Sequence, residues 1–212
     1  MLYDISPPID AALQVWPGDT PPSREVLCDM RKGDNITLST LHATVHLGAH
    51  ADAPSHYAAD GPPIDARDLD HYLGPCDVIR VPVRRGSRVT PALLARPPAA
   101  PRVLFATGAF PDPNVFNKNF AALSVELIDF LHDHKVGLVG IDTPSVDLFD
   151  SKDLPAHNRI LHYDMAILEG LVLTGVPEGR YELIALPLRL VGFDASPVRA
   201  VLRTMADSFR AP

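Results

Sequence analysis

The segment at residues 46–56 is His46-Leu47-Gly48-Ala49-His50-Ala51-Asp52-Ala53-Pro54-Ser55-His56. Its even-numbered positions carry His, Gly, Asp or Pro, and its odd-numbered positions carry apolar or small residues. Successive side chains of an extended strand point to opposite faces, so a strand here would turn three imidazoles and one carboxylate to one side. Pro54 disfavours a continuous helix, and Gly48 lets the backbone bend. The pattern therefore predicts extended chain that gathers polar side chains.

The polar side chains of this segment are His46, His50, Asp52 and His56. Nitrogen and oxygen ligands of these types suit zinc, manganese and similar divalent ions. The alternative is a surface strand whose histidines are only solvated, which is the usual explanation for a single histidine. Three imidazoles and a carboxylate at positions of one parity favour a metal site instead.

The chain has 212 residues, of which 46% are hydrophobic, so we expect a single domain over residues 1–212. Its 19 Lys and Arg against 26 Asp and Glu give a net charge of -7, which argues against a nucleic-acid partner. Two distant cysteines, Cys28 and Cys76, exclude a disulfide scaffold and a thiolate zinc site. No apolar run has the length of a membrane span, and the first residues do not resemble a signal peptide, so we expect a cytoplasmic protein without a membrane partner.

The 22 prolines and 13 glycines predict extended segments and few long helices, because proline fixes φ and donates no amide hydrogen. Residues 41–47 alternate apolar and polar side chains, which predicts a half-buried strand with His42 on the face of His46. A histidine at that place could orient a metal ligand. Other short apolar or β-branched runs predict strands at residues 76–83, 102–107, 136–141 and 181–186. Residues 197–205 fit either a strand or a helix, and we expect a strand.

Three segments have helix signals. Ser124 is a candidate N-cap for an amphipathic helix over residues 125–131, which a strand follows at once. Thr90-Pro91 predicts a shorter helix with proline at its first position, and residues 155–165 form a third candidate. Together these elements predict an α/β fold with a mixed β-sheet core and a few covering helices.

The pattern His46-x-Gly48-x-His50-x-Asp52-x-Pro54-x-His56 resembles the signature of the metal-dependent cyclase family. The resemblance extends along nearly the whole chain, through residues 4–6, 15–19, 140–145, 151–152, 166–171 and 183–188. Val15-Trp16-Pro17-Gly18-Asp19 and Ile141-Asp142-Thr143-Pro144-Ser145 are most similar to the kynurenine formamidase (arylformamidase) branch of that family.

The resemblance implies two divalent metal ions per chain, with zinc as the expected metal. His46, His50 and Asp52 would hold the first ion, and Asp52 would bridge to a second ion completed by His157 and Glu169. Taken alone, His157 and Glu169 would be interpreted as surface residues, because residues twelve apart share no local geometry.

The same resemblance assigns His56 as the catalytic acid and base, left free of the first ion. It also implies a homodimer, and it supports a substrate-facing role for Trp16, which lies in a predicted turn. The implied activity is hydrolysis of N-formyl-L-kynurenine to L-kynurenine and formate, a step of tryptophan degradation. The chain lacks a Gly-x-Ser-x-Gly elbow, which separates it from serine hydrolases. Two alternatives stay open: another cyclic-amide hydrolase of the family, such as an isatin hydrolase, and a non-enzymatic metal-binding protein.

Overall fold

A computed structural model describes residues 1–205 of the chain. It contains the α-helices α1 (Val125–Asp133) and α2 (Pro155–His162). The strands are β1 (Leu2–Asp4), β2 (Ser23–Cys28), β3 (Leu38–His42), β4 (His50–Asp52), β5 (Leu73–Arg80), β6 (Arg88–Val89), β7 (Arg102–Ala106), β8 (Ala122–Leu123), β9 (Leu138–Ile141), β10 (Ala166–Glu169), β11 (Gly179–Ile184), β12 (Ala195–Pro197) and β13 (Val201–Thr204).

Nine strands form one mixed sheet in the order β1-β13-β11-β5-β7-β9-β10-β4-β12. The four central strands β5, β7, β9 and β10 are parallel, and the strands on both sides of them pair antiparallel. The predicted α/β class with a mixed sheet is therefore confirmed. Because the central strands are parallel, the carboxyl ends of β7, β9 and β10 lie at the same edge of the sheet.

Each face of the sheet carries its own apolar core. Along β7, Val103 and Phe105 pack with the helices on one face, whereas Leu104 and Ala106 pack on the other. This alternation follows the two-residue period of a strand buried on both sides. The helices are short, and in the part of the chain that the structure describes none is long and apolar enough to cross a bilayer.

The helix prediction at Ser124 is confirmed in detail. Its hydroxyl accepts a hydrogen bond from the Leu127 amide, and α1 buries Leu127, Ile128 and Leu131 against the sheet. The prediction at Thr90-Pro91 yields only a single 3-10 turn, Pro91–Leu93. The third predicted helix ends at His162, because strand β10 begins at Ala166 and the connection needs the residues between them.

The prediction of one strand over residues 41–47 is wrong. Strand β3 ends at His42, and it pairs with β2 in a hairpin outside the main sheet. Residues 43–49 must cross from that hairpin to β4 in the main sheet, so they bend rather than pair. His42 consequently lies on the hairpin, where its Nε2 is 3.1 Å from the Glu25 carboxylate, and it does not orient a ligand.

The continuous extended segment expected over residues 46–56 is also interrupted. Only His50–Asp52 form a strand, and Pro54–His56 form a 3-10 turn because proline is favoured at its first position. Strand was expected for residues 197–205, and two strands are present there: β12, Ala195–Pro197, and β13, Val201–Thr204.

Candidate metal centre

The polar residues of β4 and β10 meet near the carboxyl edge of the parallel strands. His50 on β4 pairs with Glu169 on β10, and Asp52 pairs with Ile167 two residues further along. Paired residues of antiparallel strands project to the same face, as do residues two apart in one strand. The imidazole of His50 and the carboxylates of Asp52 and Glu169 therefore converge, and all three residues are buried.

Asp52 is at the centre of this cluster. Its Oδ1 lies 3.1 Å from His46 Nδ1 and 3.4 Å from His50 Nε2, and its Oδ2 lies 3.6 Å from His157 Nε2. Neither oxygen accepts a hydrogen bond of normal geometry from residues 1–205, although Asp52 is only 2% exposed. A buried carboxylate with no hydrogen-bond donor is costly, and coordination of a cation would satisfy it.

Two groups of candidate ligands share this carboxylate. His46, Asp52 and His56 form one group, and His50, Asp52 and Glu169 form the other, with ligand atoms within 4.8 Å of one another. His157 Nε2 faces the second group at 3.6 Å from Glu169 Oε1. All residues assigned as ligands by resemblance therefore come together around Asp52, and the donor set fits divalent ions. By the distances between ligand atoms, His50 belongs with Glu169, whereas the family resemblance places it with His46. The division of these ligands between two ions therefore stays a prediction.

Hydrogen bonds fix the orientation of two imidazoles. His50 Nδ1 is 2.9 Å from the Gly48 carbonyl oxygen, and His157 Nδ1 is 2.9 Å from Asp147 Oδ2. In each ring a proton on Nδ1 leaves the Nε2 lone pair directed at the carboxylates of the cluster. Such outer hydrogen bonds typically set the tautomer of metal-binding histidines. Gly48 itself has φ of 57°, and a Cβ there would lie 2.8 Å from Pro7 Cγ, so the bend that supports His50 requires glycine.

The cluster has an excess of negative charge that favours cations. Burial alone would lower the pKa of His46, yet the carboxylates of Asp52 and Asp194 raise it to about 9. Burial would also lower the pKa of His157, but the carboxylates of Asp147 and Asp52 raise it to about 10. Burial would raise the pKa of Asp52, but His157 and His46 hold it well below its ordinary value. Protons and metal ions thus compete for these nitrogens.

His56 is the most accessible member of the cluster. It ends the 3-10 turn Pro54–His56, its side chain is 37% exposed, and its ring centroid is 4.2 Å from that of His46. Its Nδ1 lies 3.4 Å from Asp194 Oδ2, and Asp194 also accepts from His46 Nε2 at 3.0 Å. Asp194 precedes β12, and no pattern in the sequence links it to residues 46–56.

Asp147 is a second residue that the sequence analysis missed. Its side chain is fully buried, and it accepts hydrogen bonds from the Ala156 and His157 amides at the first turn of α2. Arg88 Nη1 donates to it at 2.8 Å. The carboxylate therefore anchors the start of the helix and the His157 ring together.

Replacing Asp147 with asparagine is expected to weaken the binding of one metal ion by about 10–100-fold, because His157 loses the charged acceptor that holds its ring. Equilibrium dialysis against zinc, followed by metal analysis, measures this change. Asp150→Asn, at an exposed carboxylate of the same loop, is the matched control. Wild-type affinity for both ions in Asp147→Asn would contradict the assigned role.

A largely apolar cavity opens onto the metal centre. Its wall includes the half-buried Trp16 and five polar residues of the cluster: His46, His50, His56, His157 and Glu169. The indole stacks on Phe149 at a centroid distance of 4.9 Å and contacts Phe116 and Phe120 edge to face. Trp16 therefore lines the cavity, and its substrate-facing role stays a prediction.

These features define a mixed α/β protein with a candidate metal centre at the base of an aromatic cavity. A family model described as "Cyclase: Putative cyclase" matches residues 3–148, and the chain belongs to this family. The matched range includes residues 46–56 and ends before His157 and Glu169.

Solved structures with the same fold accompany the family match. One described as a "potential metal-dependent hydrolase with cyclase activity" is 29% identical, covers 95% of this chain and 96% of its own, and gives a TM-score of 0.81. A "predicted metal-dependent hydrolase from Bacillus stearothermophilus" is also 29% identical, with coverages of 95% and 97% and a TM-score of 0.78. Isatin hydrolase A from Labrenzia aggregata, bound to benzyl benzoate, is 22% identical, with coverages of 97% and 94% and a TM-score of 0.83. At that identity the similarity shows the fold alone.

Proposed function

We propose that this protein is a metal-dependent amide hydrolase that converts N-formyl-L-kynurenine to L-kynurenine and formate. The observation that carries the proposal is the cluster around Asp52 at the wall of an aromatic cavity. Such a cavity can hold an aryl ring while the polar cluster acts on an attached formamide. The similarity of residues 15–19 and 141–145 to kynurenine formamidases supports this substrate.

Hydrolysis of an aryl formamide needs an activated water, a stabilised oxyanion and a proton for the leaving nitrogen. Divalent ions bound at this centre would supply a water of lowered pKa and an electrophile for the formyl oxygen. The residues that would hold these ions are His46, His50, Asp52, His157 and Glu169. Asp147 and the Gly48 carbonyl hold two of the ligand imidazoles in place.

His56 is placed to move protons in this reaction. Its exposed ring borders the cavity, and its Nδ1 faces Asp194, so Nε2 is the nitrogen that would exchange protons with the substrate. It would accept a proton during attack by water and deliver it to the aniline nitrogen as the C–N bond breaks. Asp194 would stabilise the imidazolium that exists between these two transfers.

Trp16→Ala is expected to raise KM about 2–12-fold for N-formyl-L-kynurenine, since stacking of aromatic rings contributes about 0.5–1.5 kcal/mol beyond burial of area. Trp16→Phe keeps a ring at this position and is the matched control. Steady-state kinetics and thermal melting on the three proteins measure the effect. An unchanged KM with a large fall in Tm would assign Trp16 to packing against Phe149 alone.

A second candidate function is hydrolysis of a cyclic amide such as isatin. The observation in its favour is the shared fold with isatin hydrolases from Labrenzia aggregata and Ralstonia solanacearum. Both reactions use the same polar centre and differ in the shape and polarity of the cavity beyond it.

Parallel assays on N-formyl-L-kynurenine and isatin, with the zinc-loaded and the manganese-loaded protein, test the proposal. We expect release of kynurenine with a kcat/KM at least tenfold above that for isatin. A reversed preference would establish the second candidate, and no turnover of either amide by metal-loaded protein would favour a non-enzymatic metal-binding role.

A further inference from the structure

Besides its histidines, the cavity has charged residues of one sign only. Asp19 and Asp142 lie in its wall together with Glu169 of the metal centre. Among residues 1–205, no lysine or arginine lines this cavity. Asp19 is exposed, whereas Asp142 is only 8% exposed. The wall therefore contains one buried carboxylate that the metal centre does not use.

The Asp142 carboxylate is held in a fixed position. Asp142 directly follows β9, and its Oδ1 accepts a hydrogen bond from the Thr107 hydroxyl at 2.5 Å. Its Oδ2 accepts one from the Gly108 amide at 2.8 Å. Thr107 and Gly108 follow the neighbouring parallel strand β7. The carboxylate is therefore held between the carboxyl ends of two adjacent strands.

The charge of Asp142 is only partly compensated. No lysine, arginine or histidine of residues 1–205 forms an ion pair with it, and burial raises its pKa above the ordinary value in spite of the two hydrogen bonds. A carboxylate can accept about four hydrogen bonds, so the donors at Thr107 and Gly108 do not prevent it from accepting another from a ligand. A cationic donor is the group that such a carboxylate binds best, because the hydrogen bonds are then charge-assisted.

Asp142 and the metal centre open to the same cavity along the sheet edge. Strand β9 pairs in parallel with β10, which ends at Glu169, and the Gly170 amide donates to the Thr143 carbonyl at 2.8 Å. Adjacent strands are about 4.8 Å apart. A substrate whose reacting group is at the metal centre can therefore extend a side arm to Asp142.

We propose that Asp142 is a specificity-determining residue that binds the aliphatic ammonium group of the substrate. This inference rests on the proposed aryl formamidase function and narrows its substrate class to aryl formamides that carry a primary amine. N-formyl-L-kynurenine has such an ammonium group, and isatin has none. Among residues 1–205 no lysine or arginine lines the cavity to pair with the carboxylate of the amino acid, so we expect this group to contribute little to recognition.

Three substrates separate these groups: N-formyl-L-kynurenine, its analogue without the α-amino group, and its analogue without the α-carboxyl group. We expect the wild-type kcat/KM to fall about 10–100-fold on loss of the amino group and less than about threefold on loss of the carboxyl group. In Asp142→Asn, which keeps the shape of the side chain, the preference for the amine should shrink to within about threefold. Asp19→Asn is the matched control and should keep the wild-type preference.

Equal turnover of the three substrates by the wild-type protein would overturn the inference, and this result does not depend on how any variant folds. A full preference retained by folded Asp142→Asn, or lost in Asp19→Asn, would overturn it as well. Calorimetric binding of L-kynurenine and its desamino analogue is the readout that does not need turnover. An amine preference of the wild-type protein in binding, without hydrolysis of any formamide, would support the Asp142 site and refute the proposed reaction. Normal hydrolysis of the formamide without an amine preference in binding would support the proposed reaction and refute the Asp142 site.

Discussion

Asp52→Asn is expected to remove both metal ions and to lower kcat/KM by roughly 10⁴-fold or more. Losses of this size are typical when one residue is removed from a set of catalytic residues that act together. The physical reason is that both groups of candidate ligands share this one carboxylate. An amide oxygen has no negative charge to offset two dications, and an amide nitrogen is not a ligand of comparable strength. Metal analysis and steady-state assays on the same preparation measure both effects.

The matched control for this variant is Asp60→Asn, at an exposed carboxylate that lies outside the cavity wall. It should keep wild-type metal content and activity. If Asp52→Asn retained two ions per chain, the shared role of this carboxylate would be refuted, and Glu169 would be the next candidate for the bridging ligand.

The second large effect is expected at His56. Its replacement with alanine should lower kcat by about 10²–10⁴-fold, the usual contribution of a general acid or base, while metal content stays near that of the wild type. The loss should be smaller for formanilides with more acidic leaving amines, because these need less protonation to depart. His42→Ala is the control, since His42 lies on the β2–β3 hairpin beside Glu25.

The geometry allows a competing role for His56, because its ligand atom lies within 4.8 Å of those of His46 and Asp52. A loss of one ion in proportion to the loss of activity would make His56 a ligand. The proton donor would then have to be sought elsewhere in the cavity wall. Metal content and kcat measured on one preparation separate these two outcomes.

The polar side chains of residues 46–56 come together in the cluster, but the two-residue period of a strand accounts for only part of this convergence. The two-residue period holds for His50 and Asp52, which share strand β4. His46 lies before the strand in a bent segment, and His56 lies in a 3-10 turn. Both reach Asp52 because the chain turns on either side of a short strand, so tertiary structure rather than strand period brings them together.

Sequence patterns predicted the helices and strands that depend mainly on residues close together in the chain. The hydroxyl of Ser124 caps α1 as expected, and the apolar runs on β5, β7, β9 and β11 form strands close to the predicted positions. Strand order is set by contacts between distant segments, so the pairing of β4 with β10 could not be derived from residue patterns. The convergence of His157 and Glu169 with Asp52 depends on that pairing and on α2, and only the family resemblance pointed to it.

The residues that support the cluster were missed for the same reason. Asp147 and Asp194 are carboxylates in loops, and an isolated acidic residue in a loop is most often solvated. Their roles depend on partners far away in sequence, such as Asp194 with His46 and Asp147 with Arg88. The homodimer and zinc as the resident metal, which the resemblance implies, stay predictions.

A titration of metal-free protein with zinc tests the two-ion centre most directly when bound metal per chain and kynurenine release are measured on the same samples. We expect no hydrolysis without metal and maximal hydrolysis only when two ions are bound per chain. Maximal activity with one ion or fewer per chain, or full activity after chelation, would contradict a centre built from two ions sharing Asp52.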